Sequence, residues 1–389
     1  MNFLHSFQHQ VKRFFRAFRR DKKMQVISIT IFCGIFGITG ITFAVLYRHD
    51  FSQQSAGVSI PSISSQLLVQ RYGVEEYVWL IPKKIPRRID GVLVKPEESN
   101  LLPVCVMIEN AAFGGVRPQS GLSQAQLVYE VIVEGGITRL MAVYAGGQSN
   151  VIGPVRSARD TYIEFLSEYH CPYAHAGGSP TALTAIEAFR IRNLEGLREP
   201  NYFWRDRTKF APHNLFTSSD NLDTAVRDHG WFTAPAPQYP MWKFSEPLPD
   251  EERPAPETPE GVQHIFIGYG DSYNVDYHYN AEKNVFERKN GNILQHDAIN
   301  GEVLSATNIV IQHVGSGTTL EGKGRINWPV NGEGKVEIFH DGKVYRGTWK
   351  KENRVDRLQF YTESGKKIPL TRGNTWVEVV PEHISSSYE

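Results

Sequence analysis

Residues 130–180 read EVIVEGGITRLMAVYAGGQSNVIGPVRSARDTYIEFLSEYHCPYAHAGGSP, and the order of apolar runs, glycine pairs and charges in them indicates the fold class. The first half places apolar runs on both sides of Gly135 and Gly136. This pattern predicts two antiparallel strands, 128–134 and 139–145, that form a hairpin. We therefore expect a β-sheet in this part of the chain.

The second half of the stretch predicts helices beside this sheet. A helix over 158–169 follows Ser157, which can cap it, and a strand over 173–176 comes next. Ser179 is then the N-cap of another helix and Pro180 its first residue. Strands and helices in this order are typical of an α/β or α+β domain with a mixed sheet.

The overall charge limits the class of partner. The chain has 389 residues, with 42 basic and 42 acidic side chains and a formal net charge of zero. A general nucleic-acid binder is usually basic, so we expect no nucleic-acid partner.

The N-terminal sequence predicts a membrane anchor. Residues 1–23 are rich in Lys and Arg, and residues 24–47 contain no charged side chain. A helix over 24–47 would be about 36 Å long, enough to cross a hydrocarbon core of about 30 Å. Positive charge before the span predicts a cytoplasmic N-terminus and an extracytoplasmic remainder. The alternative is a cleaved signal peptide, but the basic and apolar regions are long and no A-x-A site follows.

Composition divides the remainder into domains. Residues 48–88 are predicted to be a stalk, and residues 89–234 an α/β domain with a mixed sheet. The Pro-rich segment 235–260 is predicted to be an interdomain linker. Residues 261–389 carry short alternating runs between Gly, Asn and Asp turns, which predicts a smaller, mostly β domain.

Cys105 and Cys171 are the only cysteines outside the predicted span. They could pair in an oxidising compartment, but each lies in an apolar run, which favours two small buried thiols. Neither has a second Cys or a His at metal-ligand spacing, so we predict no metal site.

Two arginines beside the first predicted helix suggest an anion site. Arg156 and Arg159 flank its first turn, where free backbone N–H groups already favour an anion. Two guanidinium groups would complete a cradle for phosphate or carboxylate. The alternative is that both arginines pair with Glu130, Glu134 or Asp160.

The two glutamates of the hairpin admit a second interpretation. Glu130 and Glu134 share one face of the predicted strand, and Arg139 faces Glu134 if the turn holds four residues. Two carboxylates on one face can serve as general acid and base. A cross-strand ion pair is the simpler interpretation.

Other candidates lie at element ends and in one loop. His175 and Ser179 are placed at a strand-to-helix corner, where α/β folds bind ligands. Loop 201–214 is dense in aromatic and cationic residues that could converge on an anion or a sugar. The full set of candidate ligand-binding residues is Arg117, Glu130, Glu134, Arg139, Arg156, Arg159, Asp160, His175, Ser179, Arg205, His213 and Asn214.

Several motifs resemble those of the YerB-like family of bacterial envelope lipoproteins, a two-domain family of unknown function. The motifs are RPQSGLSQAQLVYE (117–130), VEGGITRLMAVY (133–144), IGPVRSARD (152–160), AHAGGSP (174–180), PHN (212–214), YNAEKNVFERKNGNILQHDAINGEVLSATNIVI (279–311) and GNTWVEVVP (373–381). The resemblance implies a two-domain extracytoplasmic protein. Family members often carry a lipobox cysteine, for which this chain substitutes the predicted span.

A more limited resemblance concerns the LytR-CpsA-Psr phosphotransferases. The order of Arg159-Asp160-Thr161 and YAHAGGSP is similar to their Arg-Asp-Thr and Tyr-x-x-Gly-Gly-Pro segments. The resemblance implies that Arg156 and Arg159 hold a polyprenyl pyrophosphate and that Asp160 assists a divalent metal. The upstream Arg-Ser-Asp-Thr of that family has no counterpart here.

These observations favour a membrane-anchored protein that binds an anionic envelope ligand through an arginine-rich pocket. Its expected partners are the membrane and a cell-wall polymer or envelope protein. The alternative is a phosphotransferase acting on polyprenyl-pyrophosphate-linked wall polymers, and only that activity would require a divalent metal. A Ser/His hydrolase is disfavoured, because Pro180 follows Ser179 and no G-x-S-x-G motif is present.

Overall fold

A mixed sheet of ten strands takes its strands from both halves of the chain. The computed structural model describes residues 84–232, 239–254, 258, 261–320 and 322–389. The predicted cytoplasmic segment, span and most of the predicted stalk, residues 1–83, lie outside the described residues. Among the described residues, no helix has the length and apolar character needed to cross a bilayer.

The first half of the described chain, residues 84–232, contains nine strands and three α-helices. They are β1 (Ile85–Pro86), β2 (Leu93–Val94), β3 (Val104–Glu109), β4 (Leu127–Ile132), β5 (Thr138–Tyr144), α1 (Asp160–Leu166), β6 (Tyr173–His175), α2 (Pro180–Ala188), β7 (Asn193–Glu195), β8 (Trp204–Arg205), β9 (Leu215–Phe216) and α3 (Ser219–Asp228).

The second half contains strands and short 3₁₀ turns. Its strands are β10 (Phe244–Ser245), β11 (His264–Ile267), β12 (Val275–Asn280), β13 (Val285–Asn290), β14 (Ile293–Leu294), β15 (Ser305–Ala306), β16 (Asn308–Val314), β17 (Thr318–Thr319), β18 (Ile326–Asn327), β19 (Gly332–His340), β20 (Lys343–Lys351), β21 (Gln359–Tyr361), β22 (Leu370–Thr371), β23 (Thr375–Pro381) and β24 (Ser386–Tyr388).

The large sheet has the order β21-β20-β19-β16-β23-β4-β5-β3-β6-β7. The two halves meet at the parallel pair β23–β4, in which Glu378 lies opposite Glu130. The structure confirms a sheet-rich chain with few helices and a mixed sheet. The C-terminal part is rich in strands, and five of its strands continue the N-terminal sheet. The backbone N–H and C=O groups at the edge of each half are paired by the other half.

A second, antiparallel sheet has the order β14-β13-β12-β11-β24, with β15 also paired to β13. Strands β11 and β13 alternate between partly and fully buried residues, and in β12 Val275 and Tyr277 are fully buried while His278, on the opposite face, is partly exposed. The buried side chains of this sheet belong to the same hydrophobic cluster as those of the large sheet. One continuous core therefore joins the two halves.

The predicted hairpin is present as the antiparallel pair β4–β5. Its turn is the 3₁₀ segment Glu134–Gly136, in which Gly135 and Gly136 have positive φ values of 70° and 73°. Glu134 lies in this turn and outside the strand, so the expectation that Glu130 and Glu134 share a strand face is wrong. Arg139 is paired in register with Val131.

Helix α1 is shorter than predicted. It covers Asp160–Leu166, and Arg159, not Ser157, is its N-cap residue. The preceding Ala158 is held in an extended backbone pairing with Gly178, which delays the start of the helix. By contrast, Ser179 caps α2 as predicted, with its Oγ accepting the N–H of Ala182.

The two cysteines form a disulfide, which overturns the interpretation as buried thiols. Cys105 lies on β3 beside parallel strand β6, and Cys171 comes just before β6. This strand pairing brings their Cα atoms to 5.9 Å, within the range of a disulfide. Both residues are buried.

The part of the predicted linker that is described packs against the core. Trp242 is buried, and its Nε1 donates to the carbonyl oxygen of Leu358 at 2.6 Å. Arg88 Nη1 donates to the carbonyl of Tyr239 at 2.6 Å. Strand β10 in this segment pairs with β22. These contacts tie the segment to both halves.

Candidate functional site

Glu134 is the centre of the first predicted arginine cluster. Its Oε2 accepts a 2.7 Å hydrogen bond from Arg159 Nε, and its Oε1 pairs with the same guanidinium. Arg139 Nη2 lies 3.8 Å from Oε1. Burial alone would raise the pKa of Glu134, but the two arginines outweigh it and lower this pKa to about 2. The hairpin turn thus supplies the counter-charge for both arginines.

Arg139 is buried in this cluster and donates from Nη1 to the carbonyl of Ser157 at 2.9 Å. Burial, followed by the nearby charge of Arg159, lowers the pKa of Arg139 to about 10. Burial and the charge of Arg159 both disfavour the charged form of Arg139, and the charge of Glu134 offsets part of this effect.

Arg156 belongs to a separate ion pair with a residue that we did not predict. Its Nε lies 3.1 Å from Oε1 of Glu109, the buried last residue of β3. The other carboxylate oxygen lies 2.9 Å from Nδ1 of His213. The buried carboxylate of Glu109 therefore contacts both Arg156 and His213, two of the predicted site residues.

Asp160 and Ser179 connect the starts of α1 and α2. Ser179 Oγ donates to Asp160 Oδ2 at 2.8 Å while it caps its own helix. The Ser179 hydroxyl is not placed as a nucleophile, because it is buried and both of its hydrogen bonds are made within the protein. This contact supports a structural role for both side chains.

His175 is fully buried at the end of β6. Its Nδ1 lies 2.8 Å from the carbonyl oxygen of Gly177, and its Nε2 lies 2.8 Å from Oδ1 of Asn193. Burial lowers the pKa of His175, so the ring is neutral near pH 7. The ring holds the glycine turn against β7.

Arg117 anchors the loop after β3 to the second half. Its Nη1 donates to the carbonyl of Ser272 at 2.8 Å, its Nε donates to Asn110 Oδ1 at 3.0 Å, and its guanidinium lies over the Tyr273 ring. Burial lowers the pKa of Arg117 to about 10. Arg117 therefore does not belong to the cluster around Arg156.

The remaining predicted loop residues bond mainly to one another. Arg205 Nη1 donates to Asn214 Oδ1 at 2.6 Å. Asn214 Nδ2 in turn donates to the carbonyls of Asp206 and Lys209, both at 3.2 Å. Asn214 thus closes the loop on itself.

Glu130 is completely buried and far from solvent. It pairs with Arg288, a second-half residue with no exposed surface, and accepts from Asn110 Nδ2 at 3.2 Å. Arg288 Nη1 also lies 3.4 Å from Oε1 of Glu378. This network links the two halves of the core and is closed to a ligand.

The structure therefore brings several predicted residues together but neutralises them internally. Arg139 and Arg159 share Glu134, and Arg156 faces Glu109. Helix α1 has only 7 residues, so its dipole adds little. The alternative of internal ion pairs describes this corner better than an open anion cradle.

A different arginine cluster lines an open cleft beside the disulfide. The cleft has a volume of about 530 Å³ and lies between the end of α1, the segment after α2 and the loop after β20. It is lined by Leu166, Ser167, His170, Cys171, Phe189, Arg190, Ile191, Arg192, Arg354 and Val355. None of these lining residues is acidic.

Neutral groups position the arginines of the cleft. Arg354 Nη1 donates to Ser167 Oγ at 3.2 Å, and its guanidinium carbon lies 3.5 Å from the ring centroid of Phe189. Arg192 Nη1 donates to the carbonyl oxygen of His170 at 3.1 Å. Each of the two hydrogen bonds uses one of the five N–H groups of a guanidinium, and the contact with Phe189 uses the guanidinium face.

The residues of this cleft leave only a weak signal in the sequence. Arg190 and Arg192 alternate around Ile191 just after a helix, a weak signal that they share one face. Arg354 lies in the other half of the chain, and only the shared sheet brings it close. Glu109 was easier to anticipate, since it directly follows a buried apolar run.

Comparisons with known proteins agree with the architecture. Two family models match, described as the N-terminal domain of a protein of unknown function (DUF3048) over residues 90–232 and its C-terminal domain over residues 265–377. The chain is 28% identical to the protein named "Putative lipoprotein YerB" of Bacillus subtilis (strain 168) over 308 residues, which covers 77% of this chain and 87% of that protein. The crystal structure of YerB from Bacillus subtilis superposes with a TM-score of 0.68 and 27% identity, covering 78% of this chain and 100% of that structure.

Proposed function

Since the chain belongs to the DUF3048 family through both of its domains, we propose that it is a membrane-anchored protein of the bacterial envelope that binds an anionic ligand in the arginine cleft. The relative YerB is named as a lipoprotein, which supports attachment to a membrane. The basic and apolar sequence of residues 1–47 supports a single span with the bulk outside.

The disulfide supports an extracytoplasmic location. Cys105 and Cys171 are bonded and buried, and disulfides persist mainly in oxidising compartments. Because the bond lies beneath the cleft, it also fixes the start of β6 next to Arg192. The disulfide therefore supports both the extracytoplasmic location and the arginine cleft as the ligand site.

We choose the cleft as the site because three guanidinium groups line it and none of its lining residues is acidic. This differs from the predicted corner, where each arginine already faces a carboxylate. Burial lowers the pKa of Arg192, and the pKa of His170 is lowered by burial and by the charge of Arg192. Only the contribution of Arg192 to the lowered pKa of His170 reflects positive charge in the cleft.

The geometry favours a ligand with phosphate groups. Guanidinium groups bind phosphate oxygens through paired N–H donors, and the cleft volume lies within the usual range of ligand sites, about 300–1,000 Å³. Phe189 and Val355 add apolar surface at the rim. A phosphate with a carbon backbone, from a wall polymer or a lipid headgroup, matches this combination.

We propose binding, with phosphoryl transfer as the lesser candidate. Transfer would need a carboxylate as base or metal ligand near the phosphate, and none lines the cleft. At the predicted corner, Asp160 is hydrogen-bonded to Ser179, and Glu109 and Glu134 are in ion pairs. These contacts favour binding without turnover.

The test is a binding titration of the full chain in detergent. The probes are a glycerol-phosphate polymer, and vesicles with and without phosphatidylglycerol. Changing Arg190, Arg192 and Arg354 to Gln should weaken binding of the matching probe at least tenfold at low salt. Preference for the polymer or for the anionic vesicles identifies the source of the phosphate.

A charge-matched control carries Gln at three exposed cations outside the cleft, Arg198, Arg207 and Lys366. It should retain wild-type affinity. Equal loss in the control would show general charge attraction and would overturn the site. Absence of binding to every probe by the wild-type chain would overturn anion binding itself.

A further inference from the structure

Two histidines and an aspartate lie together on the outer face of the antiparallel sheet. His264 of β11 is directly opposite His278 of β12. Asp276 is two residues before His278, so its side chain is on the same face. The strand register alone brings the three side chains together.

The ligand-type atoms of these residues are close enough to share one ion. One nitrogen from each histidine and one carboxylate oxygen all lie within 4.8 Å of one another. His264 Nε2 is 2.8 Å from Asp276 Oδ1, and the two imidazole rings stack with centroids 4.6 Å apart.

The environment of the Asp276 carboxylate also favours a bound cation. Asp276 is only 8% exposed, yet its Oδ2 has no hydrogen-bond partner within the described part of the chain. A buried carboxylate oxygen without a partner is unfavourable, because it has lost water and gained nothing. A cation bound at this position would satisfy it.

We propose that His264, Asp276 and His278 bind a divalent transition-metal ion of the zinc type. Two imidazole nitrogens and one carboxylate oxygen are ligands that Zn²⁺ accepts, and three protein ligands leave a fourth position open. The other ring nitrogen of His264, Nδ1, lies 3.7 Å from Oε1 of Glu389. This distance is longer than a hydrogen bond, and the Glu389 side chain is exposed, so it adds only a nearby negative charge that favours a cation.

The charges around the cluster limit the affinity. Across the strand pair, Lys289 is opposite Asp276 and Glu287 is opposite His278. Lys289 opposes a cation and Glu287 favours one, so their effects partly cancel. The site is independent of the arginine cleft, and either can exist without the other.

The test is Zn²⁺ binding to the full chain in detergent, measured by calorimetry and by metal content after dialysis. We expect the wild type to bind one equivalent of Zn²⁺. In Asp276→Asn and in His278→Gln, this binding should be lost or its Kd raised at least 100-fold. The control is His296→Gln, since His296 is exposed and contacts the carbonyl of Gly301. It should bind as the wild type does.

A second measurement separates loss of a ligand from loss of the fold. Circular dichroism of Asp276→Asn should match the wild type, since the amide has the same shape. In the wild type, Zn²⁺ should shift the ring NMR signals of His264 and His278 and leave those of His296 unchanged. If both variants bind Zn²⁺ normally, or if these ring signals do not move, the proposed site is wrong.

Discussion

Glu130 and Glu378 lie opposite each other on neighbouring parallel strands, and both contact the single guanidinium of Arg288. All three side chains are buried. Tyr277 Oη and Tyr269 Oη donate to Glu378 at 2.6 and 3.1 Å. Burial, followed by the charge of Glu130, raises the pKa of Glu378 to about 8. Near neutral pH the pair therefore retains a proton.

This retained proton predicts an unusual pH dependence of stability. The folded pKa of Glu378 lies above its ordinary value of 4.5, so the native state binds a proton that the unfolded state has released. Stability should therefore fall as pH rises from about 4.5 to 8, by up to about 1.4 kcal/mol per pH unit. Glu378→Gln removes this loss, so its stability relative to wild type should increase with pH in urea titrations. The exposed Glu382→Gln should give no trend, and a parallel pH profile for Glu378→Gln would contradict the shared proton.

Arg288 is expected to be the most sensitive cation in the core. Its replacement by Met leaves the buried negative charge of the Glu130–Glu378 pair without a cation, which should cost about 3–5 kcal/mol of the free energy of unfolding. Chemical denaturation at pH 7 measures this loss. Adding Glu130→Gln and Glu378→Gln should recover most of it, because the charges that need Arg288 are then gone. Failure of the triple variant to recover would show that Arg288 acts through packing against Trp376, whose ring centroid is 4.6 Å from its guanidinium.

The disulfide is expected to stabilise the large sheet. Cys105 and Cys171 are 66 residues apart, and cross-links of this kind typically contribute about 2–4 kcal/mol. Changing both to Ala should lower the free energy of unfolding by this amount. The measurement is a guanidinium titration with and without a reductant. Wild-type protein with reductant should approach the variant, while the variant itself should not respond.

The hairpin ion pairs are expected to contribute to stability. Arg159→Ala removes the closest partner of Glu134 and leaves Arg139 at 3.8 Å, which should cost about 1–3 kcal/mol. The stabilisation depends on an ionised Glu134, whose pKa is lowered to about 2, so it is present above its usual pKa of 4.5. The difference between wild type and variant should shrink as pH falls from 4.5 towards 2. Arg190→Gln in the cleft serves as the control and should change stability by less than about 0.5 kcal/mol.

Short sequence patterns correctly predicted the elements that depend on neighbouring residues in the chain. The hairpin around Gly135, the N-cap at Ser179 and the strand that ends at His175 follow from short patterns, and all are present. The start of α1 was misplaced because Ala158 is held by a contact with Gly178, a pairing between segments that no local pattern reports.

The site was harder to predict because charge compensation acts over long distances in the chain. Arg156 has its counter-charge on Glu109, from an earlier strand, and Glu130 has its own on Arg288, from the other half. The sequence therefore suggested that the clustered arginines were free to bind a ligand, although acidic residues elsewhere in the chain already pair with them. The preference for two buried thiols over a disulfide was wrong because only the β3–β6 pairing, a contact distant in the chain, brings Cys105 and Cys171 together.

The parallel pair β23–β4 has a consequence for proteolysis. A single cut between residues 254 and 261 would sever the chain, but the pieces would still share hydrogen bonds along this pair and the carboxylates around Arg288. The nicked protein should therefore migrate as one species on a sizing column and fall apart only in denaturant. Either piece expressed alone would display an unsatisfied strand, and we would expect it to self-associate.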